Sequence, residues 1–117
     1  VVWLSICSSA PGAQGHVTGE EGAKVMKESK GSPHAVLLDP TGEVGKKYGA
    51  KTTPHMFLIS PDGNPLYNGA IDNNSRGNLP AGEVVNYLVK AYEEASSGKE
   101  VSEPKTRPYG CSVKYAN

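Results

Sequence analysis

The sequence predicts an α/β fold, and three stretches carry that prediction. Residues 1–7, VVWLSIC, are almost continuously apolar and rich in β-branched side chains, which is typical of a strand buried on both faces of a parallel sheet. Residues 55–71 contain two apolar runs separated by the turn sequence PDGN, and they predict a β-hairpin. Residues 81–97 place apolar side chains at helical spacing before Gly98, and they predict a long C-terminal helix.

Weaker signals lie between these stretches. Thr18 and Glu21 have the spacing of a capping box and predict a surface helix that continues to about Ser29. Residues 34–39 predict a short extended segment, and residues 40–49 predict a turn followed by a short helix. The order is therefore strand, helix, extended segment, helix, hairpin and helix, which indicates a mixed α/β architecture.

The C-terminal part of the chain has a different composition. Residues 99–110 are charged and contain prolines, which predicts an extended tail over the surface, and residues 110–117 alternate in a way that could add a short edge strand. A chain of 117 residues is long enough for one ordinary domain. We therefore expect one domain over residues 1–98 and a tail over residues 99–117.

Charge and composition argue against two classes of partner. The 12 basic and 12 acidic residues give a net charge of +0, with no basic face for nucleic acid. No apolar stretch approaches the roughly 20 residues that a membrane-spanning helix needs. Two cysteines far apart in sequence are too few for a disulfide scaffold and leave the cellular compartment open. The three histidines are scattered, so we expect no metal site.

A proline stands at the start of the apolar run of the hairpin. Proline has no N–H to donate to a sheet, so Pro54 suits the beginning or the edge of a strand. In one interpretation Pro54 simply starts the strand. In the other, it presents the backbone of Thr53 to a bound partner, and the local sequence leaves both interpretations open.

A longer match of motifs bears on this question. Residues 46–72, KKYGAKTTPHMFLISPDGNPLYNGAID, resemble the second half of a thioredoxin-like redoxin, with a Tyr-Gly pair, a Thr-Pro, a strand, an Asp-Gly turn and a last strand in the family order. This family includes thiol-disulfide oxidoreductases and the peroxiredoxin-like alkyl hydroperoxide reductase/thiol-specific antioxidant proteins. Residues 1–9 and 34–49 are similar to earlier family segments, and residues 107–115 resemble the Gly-Cys tail of one redoxin branch.

The resemblance implies a fold, an activity and a binding site. It implies a thioredoxin-like domain that reduces disulfides or peroxides through a cysteine thiolate, without a metal or an organic cofactor. It also implies that the Thr53–Pro54 peptide bond is cis. Thr53 and Pro54 would then be the substrate-binding residues, because the family offers the backbone before this proline to an incoming peptide or disulfide.

One part of the family pattern has no counterpart in the sequence. The strand and the helix that carry the nucleophilic cysteine would precede Val1, so we expect an N-terminally truncated domain that is weak or inactive by itself. Cys111 and Cys7 remain as candidate catalytic thiols. By resemblance Cys111 could act as a resolving or accessory thiol, or it could be a surface thiol without a catalytic role. Cys7 ends a predicted strand and could be redox-active, or it could serve as a small buried apolar side chain.

The missing strand also bears on partners. Its absence would leave two inner strands with unpaired backbone groups, which are costly to bury. We expect a homodimer, in which strands could be swapped between copies. The alternatives are that strand 1–7 pairs directly with residues 55–60, or that the chain folds fully only with the absent part. The alternative function is a non-enzymatic module that binds a peptide or assembles with other proteins through the groove at Thr53 and Pro54.

Overall fold

The computed structural model describes residues 2–14, 16, 18, 20 and 35–116. The chain forms two compact units. The first unit combines Val1–Ala50 with Val113–Asn117, and the second unit is Lys51–Ser112. Most of the helix predicted after Thr18 lies outside the described residues. No helix in the described part is long and apolar enough to cross a membrane.

The first unit contains a parallel pair of strands and a short helix. Strand β1 (Leu4–Cys7) pairs with β2 (Ala35–Leu38), and helix α1 (Glu43–Tyr48) follows. These elements confirm the strand predicted in residues 1–7, the extended segment at 34–39 and the short helix within 40–49.

The expected burial of the first strand is wrong. Leu4 and Ile6 of β1 are 50% and 44% exposed, and Leu37 and Leu38 of β2 are similarly exposed. Within the described residues, β1 has β2 as its one strand neighbour, so β1 is not a central strand of a larger sheet. The apolar residues 1–7 therefore form a strand whose large side chains remain partly exposed to solvent.

A buried carboxylate organises the start of α1. Asp39 is 6% exposed, and its Oδ2 accepts hydrogen bonds from the Ser8 hydroxyl at 2.7 Å and the Gly45 N–H at 2.9 Å. Its Oδ1 accepts a hydrogen bond from the Val44 N–H at 3.2 Å. Asp39 thus satisfies N–H groups that the first turn of a helix leaves unpaired.

The second unit is built around the predicted hairpin, which is confirmed. Strands β4 (Met56–Ile59) and β5 (Pro65–Gly69) pair antiparallel with an irregularity between Leu58 and Ile59. The short strand β3 (Thr52–Thr53) precedes them. A 3-10 helix (Ala81–Glu83) and helix α2 (Tyr87–Ser96) follow.

The prediction of a long C-terminal helix over residues 81–97 is wrong in its length, because α2 has only 10 residues. The side chains of Asn73 and Asn86 hold the backbone just before α2 out of the helical conformation. The Val85 N–H donates to Asn73 Oδ1 at 2.8 Å, and Val84 is extended. Asn86 caps α2 by accepting a hydrogen bond from the Val89 N–H at 2.9 Å, so the helix begins after Asn86.

The part of the tail that ends at Ser112 belongs to the second unit, where it lies beside β5. The Asn68 N–H donates to the Pro104 carbonyl at 3.0 Å, and the Thr106 N–H donates to the Asn68 carbonyl at 3.1 Å. The Thr106 hydroxyl contacts the hydroxyl of Tyr67, whose side chain is 1% exposed, and accepts a hydrogen bond from the Ala70 N–H at 3.0 Å. The tail therefore completes the polar contacts of the most buried large side chain in this unit.

Candidate functional site

The candidate site lies in the second unit, around the link between β3 and β4. The Thr53–Pro54 peptide bond is cis, as the resemblance implies. The Thr52 hydroxyl donates to the Pro54 carbonyl oxygen at 2.8 Å, which ties the two sides of the link together. The backbone of Thr53 is thereby held in a defined conformation at the end of β3.

The C-terminal strand lies directly beside Thr53. Strand β6 (Cys111–Ser112) pairs antiparallel with β3, with Thr53 opposite Cys111 and Thr52 opposite Ser112. This pairing confirms the predicted edge strand at the end of the chain. It brings together three of the four predicted site residues, Thr53, Pro54 and Cys111.

Close backbone approach at this pair depends on glycine. Gly110 has a φ of +133°, and a Cβ at this position would collide with the Thr53 carbonyl oxygen. Only glycine adopts this conformation without strain and leaves room for the neighbouring backbone. Gly110, noted in the sequence only as part of a resemblance, is therefore a requirement of the close contact between Thr53 and the segment before β6.

A cleft of about 610 Å³ adjoins the pair of strands. Its walls come from β3, from the loop after β5, from the start of α2 and from the tail; the lining residues are Thr52, Asp72, Asn73, Ser75, Tyr87, Thr106, Arg107, Pro108, Tyr109 and Gly110. The cleft offers a route to the neighbourhood of β6 for a small molecule.

A tyrosine–aspartate contact holds the tail at this cleft. The Tyr109 hydroxyl donates to Asp72 Oδ1, which also accepts a hydrogen bond from the Asn74 N–H at 2.9 Å. The bond to Asp72 raises the pKa of Tyr109, and burial and the charge of Asp72 act in the same direction. Tyr109 stands 37 positions after Asp72, so no local pattern in the sequence predicts this contact.

His55 fixes the other side of the proline link. Its Nδ1 accepts a hydrogen bond from the Lys51 N–H at 3.1 Å, which assigns the ring proton to Nε2, 3.5 Å from Asn68 Oδ1. The ring stacks on Phe57 with centroids 4.5 Å apart. Partial burial lowers the pKa of His55, and the charge of Lys51 adds to that effect while the bond to Asn68 opposes it.

The two cysteines occupy different units, and both are in the thiol form. Cys111 is exposed on β6, whereas Cys7 is half-buried at the end of β1. The structure thus places Cys111, and not Cys7, at Thr53 and Pro54. Within the described ranges, no group of three or more histidine, cysteine, aspartate or glutamate side chains could hold a metal ion.

Comparison with solved structures shows a protein of similar fold. The chain is similar to a hypothetical protein from Sinorhizobium meliloti, with a TM-score of 0.77 and 30% sequence identity. The match covers 97% of this chain and 61% of that protein, so part of the relative has no counterpart in these 117 residues. No protein-family model matches the chain, and no curated protein matches it.

Proposed function

We propose that the chain is a thioredoxin-like domain of a thiol-dependent oxidoreductase or antioxidant protein, which in its complete form reduces disulfides or peroxides. The observation that carries the proposal is the pairing of Cys111 with Thr53, directly before Pro54. This pairing sets an exposed thiol beside the backbone that the family resemblance assigns to substrate binding. The order of the described strands and helices supports the proposal as well.

The chemistry available to such a thiol follows from its two substrates. With a disulfide, the Cys111 thiolate attacks one sulfur, the S–S bond breaks, and a mixed disulfide and one thiolate result. With a peroxide, the thiolate attacks one oxygen and the O–O bond breaks. Cys111 becomes a sulfenic acid, and the alkoxide or hydroxide that leaves takes a proton from water. Two equivalents of an added thiol restore Cys111 in the peroxide reaction. The nucleophilic cysteine of the family has no counterpart in this sequence, so we expect the activity of this chain alone to be weak.

The test is turnover of hydrogen peroxide and of insulin disulfides with dithiothreitol as reductant. We expect the wild type to turn over at least one of the two substrates slowly, with a large loss in Cys111→Ser and a small change in Cys7→Ser. The variant with both Cys7→Ser and Cys111→Ser is the reference. A turnover rate of the wild type that is no higher than that of this double variant would overturn the catalytic assignment of both cysteines. Because Cys111 is exposed, a second measurement compares the alkylation rate of Cys111 in the folded chain with its rate in the chain unfolded in urea. A folded chain that reacts no faster would identify Cys111 as merely accessible.

The alternative function is a non-enzymatic module that holds an extended peptide. One observation favours it: the β3 edge already pairs with an extended segment, β6, and antiparallel strand addition is a general mode of peptide recognition. Peptide binding that is unaffected by Cys111→Ser, together with no turnover in the wild type, would support the module over the enzyme.

For the partner, we propose a second copy of this chain, in which strands could be swapped. Large apolar side chains are exposed on β1 and β2 and on the first turns of α2, where Val89 and Tyr92 are 47% and 43% exposed. Burial of such surface stabilises an association by about 25 cal/mol per Å². Light scattering after size exclusion tests this proposal, and we expect a dimer that persists with reductant. A monomer at all concentrations would contradict it.

A further inference from the structure

We infer that β6 is a specificity element, which closes the Thr52–Thr53 edge to extended protein segments and restricts the site to small molecules. This inference deepens the proposed thiol chemistry and rests on it for the identity of the substrate. It selects between the substrate classes that the proposed function leaves open: a small peroxide or low-molecular-weight disulfide is admitted, and a protein disulfide presented as an extended strand is not.

The first argument is that the edge is already paired. A strand that adds to β3 on the side of Ser112 and Cys111 needs the backbone groups of Thr52 and Thr53 that now face β6. An incoming strand would occupy the same positions. It therefore has to displace β6 before it can pair with β3.

The second argument is the closeness of the contact. The Gly110 Cα is so near the Thr53 carbonyl that a Cβ would overlap the oxygen atom and lie within 3.0 Å of the carbonyl carbon. No side chain fits between the tail and the link to Pro54. A typical protein segment, which carries a side chain at this position, is thus a poorer fit to the edge than the chain's own glycine.

The third argument is that the tail is fastened just before β6. Tyr109 donates its hydroxyl to Asp72, and Thr106 bonds to the Ala70 N–H and the Asn68 carbonyl. These contacts hold the residues next to Gly110 in place. Displacement of β6 by a peptide would have to loosen them or bend the chain sharply at Gly110.

Small molecules have a different route. Cys111 and Ser112 are exposed to solvent, and the cleft of about 610 Å³, which they do not line, reaches their neighbours Thr52 and Gly110. This volume is within the range of sites for small ligands and does not require β6 to move. The Cys111 thiol is therefore open to a compact reactant while the edge beside it is closed to a strand.

The test is binding of a fluorescein-labelled peptide with the sequence of residues 109–115 and serine in place of Cys111. The substituted peptide has no thiol, so its binding is measured without any redox chemistry and independently of the proposed activity. The variant is Gly110→Val, which forces the tail away from Thr53. The matched control is Gly77→Val, since Gly77 also has a positive φ but has open space at its Cβ position.

We expect no saturable binding to the wild type or to Gly77→Val, and binding at least about tenfold tighter to Gly110→Val, a difference of about 1.4 kcal/mol. Circular dichroism establishes that each variant is folded.

If Gly110→Val does not fold, a second measurement takes the place of the binding experiment. It compares the amide hydrogen exchange of Thr53 in the wild type with and without excess peptide. Three results would each overturn the inference. The wild type could bind the peptide as tightly as a folded Gly110→Val does, or a folded Gly110→Val could bind no peptide. In the second measurement, addition of the peptide could change the exchange of Thr53.

Discussion

The hydroxyl of Tyr115 donates a hydrogen bond to the carbonyl oxygen of Ala50 at 2.6 Å, 65 positions earlier in the chain. The ring packs against Gly42 and lies next to the Cα of Gly45, and the Lys46 ammonium group stands 5.5 Å from the ring centroid. A side chain near the C-terminus therefore closes the first unit over both ends of α1.

Tyr115→Phe tests this closure. The substitution keeps the ring and removes the hydroxyl, so the Ala50 carbonyl loses its partner. We expect the free energy of unfolding to fall by about 1 kcal/mol, measured by urea denaturation. Tyr92→Phe is the matched control because Tyr92 is 43% exposed, and it should change stability little. Equal effects of the two substitutions would contradict the role of the Tyr115 hydroxyl.

Gly45→Ala tests the packing between α1 and the tail. Alanine in a helix is favoured over glycine by up to about 1 kcal/mol, so the helix alone would be stabilised. A Cβ at Gly45, however, would lie 2.7 Å from the Ser8 Oγ and 2.8 Å from the Tyr115 hydroxyl. We expect the overlap to prevail and to destabilise the protein by about 1–3 kcal/mol. The control Gly82→Ala has open space at its Cβ and should be neutral; a stabilised Gly45→Ala would refute the packing argument.

Asp39 makes the stability of the first unit sensitive to acid. Burial raises the pKa of this carboxyl, but the hydrogen bonds from Gly45, Ser8 and Val44 together lower it below the ordinary value of 3.8. A carboxyl with a lowered pKa in the folded state contributes stability that is present above 3.8 and is lost as the pH falls through the folded value. Asp39→Asn should therefore be less stable at neutral pH and should lose less stability between about pH 5 and pH 2. Parallel pH profiles in urea denaturation would contradict this assignment.

His55 gives the second unit a pH dependence of its own. Its pKa is lowered below 6.5, so the unfolded chain takes up a proton before the folded chain does. The stability is then full above pH 6.5 and decreases as the pH falls through the folded value, because partial burial and the charge of Lys51 disfavour the protonated ring. An NMR titration of the His55 ring should give a midpoint below 6.5 in the folded protein. A midpoint at or above 6.5 would show that burial and the charge of Lys51 do not lower the pKa of the ring.

Elements with local signals were predictable, and contacts between distant segments were not. The turn of the β4–β5 hairpin and the helix before Gly49 carry their signals within a few residues. The contact of Gly110 with Thr53 has no such signal, since the two positions are far apart and glycine is common in this chain. The start of α2 was missed for a related reason: Asn73 and Asn86 outweigh the helical spacing of Val84 and Val85, and only the folded chain brings Asn73 to Val85.

The participation of Val113–Asn117 in the first unit has a consequence for the order in which the polypeptide matures on the ribosome. The second unit is a continuous stretch, so all of its residues have been synthesised before translation reaches Val113. The first unit must wait for Lys114, whose carbonyl accepts the Ala10 N–H at 2.7 Å, and for Tyr115. A nascent chain stalled before these residues would hold every residue of the second unit and would lack these two contacts of the first one.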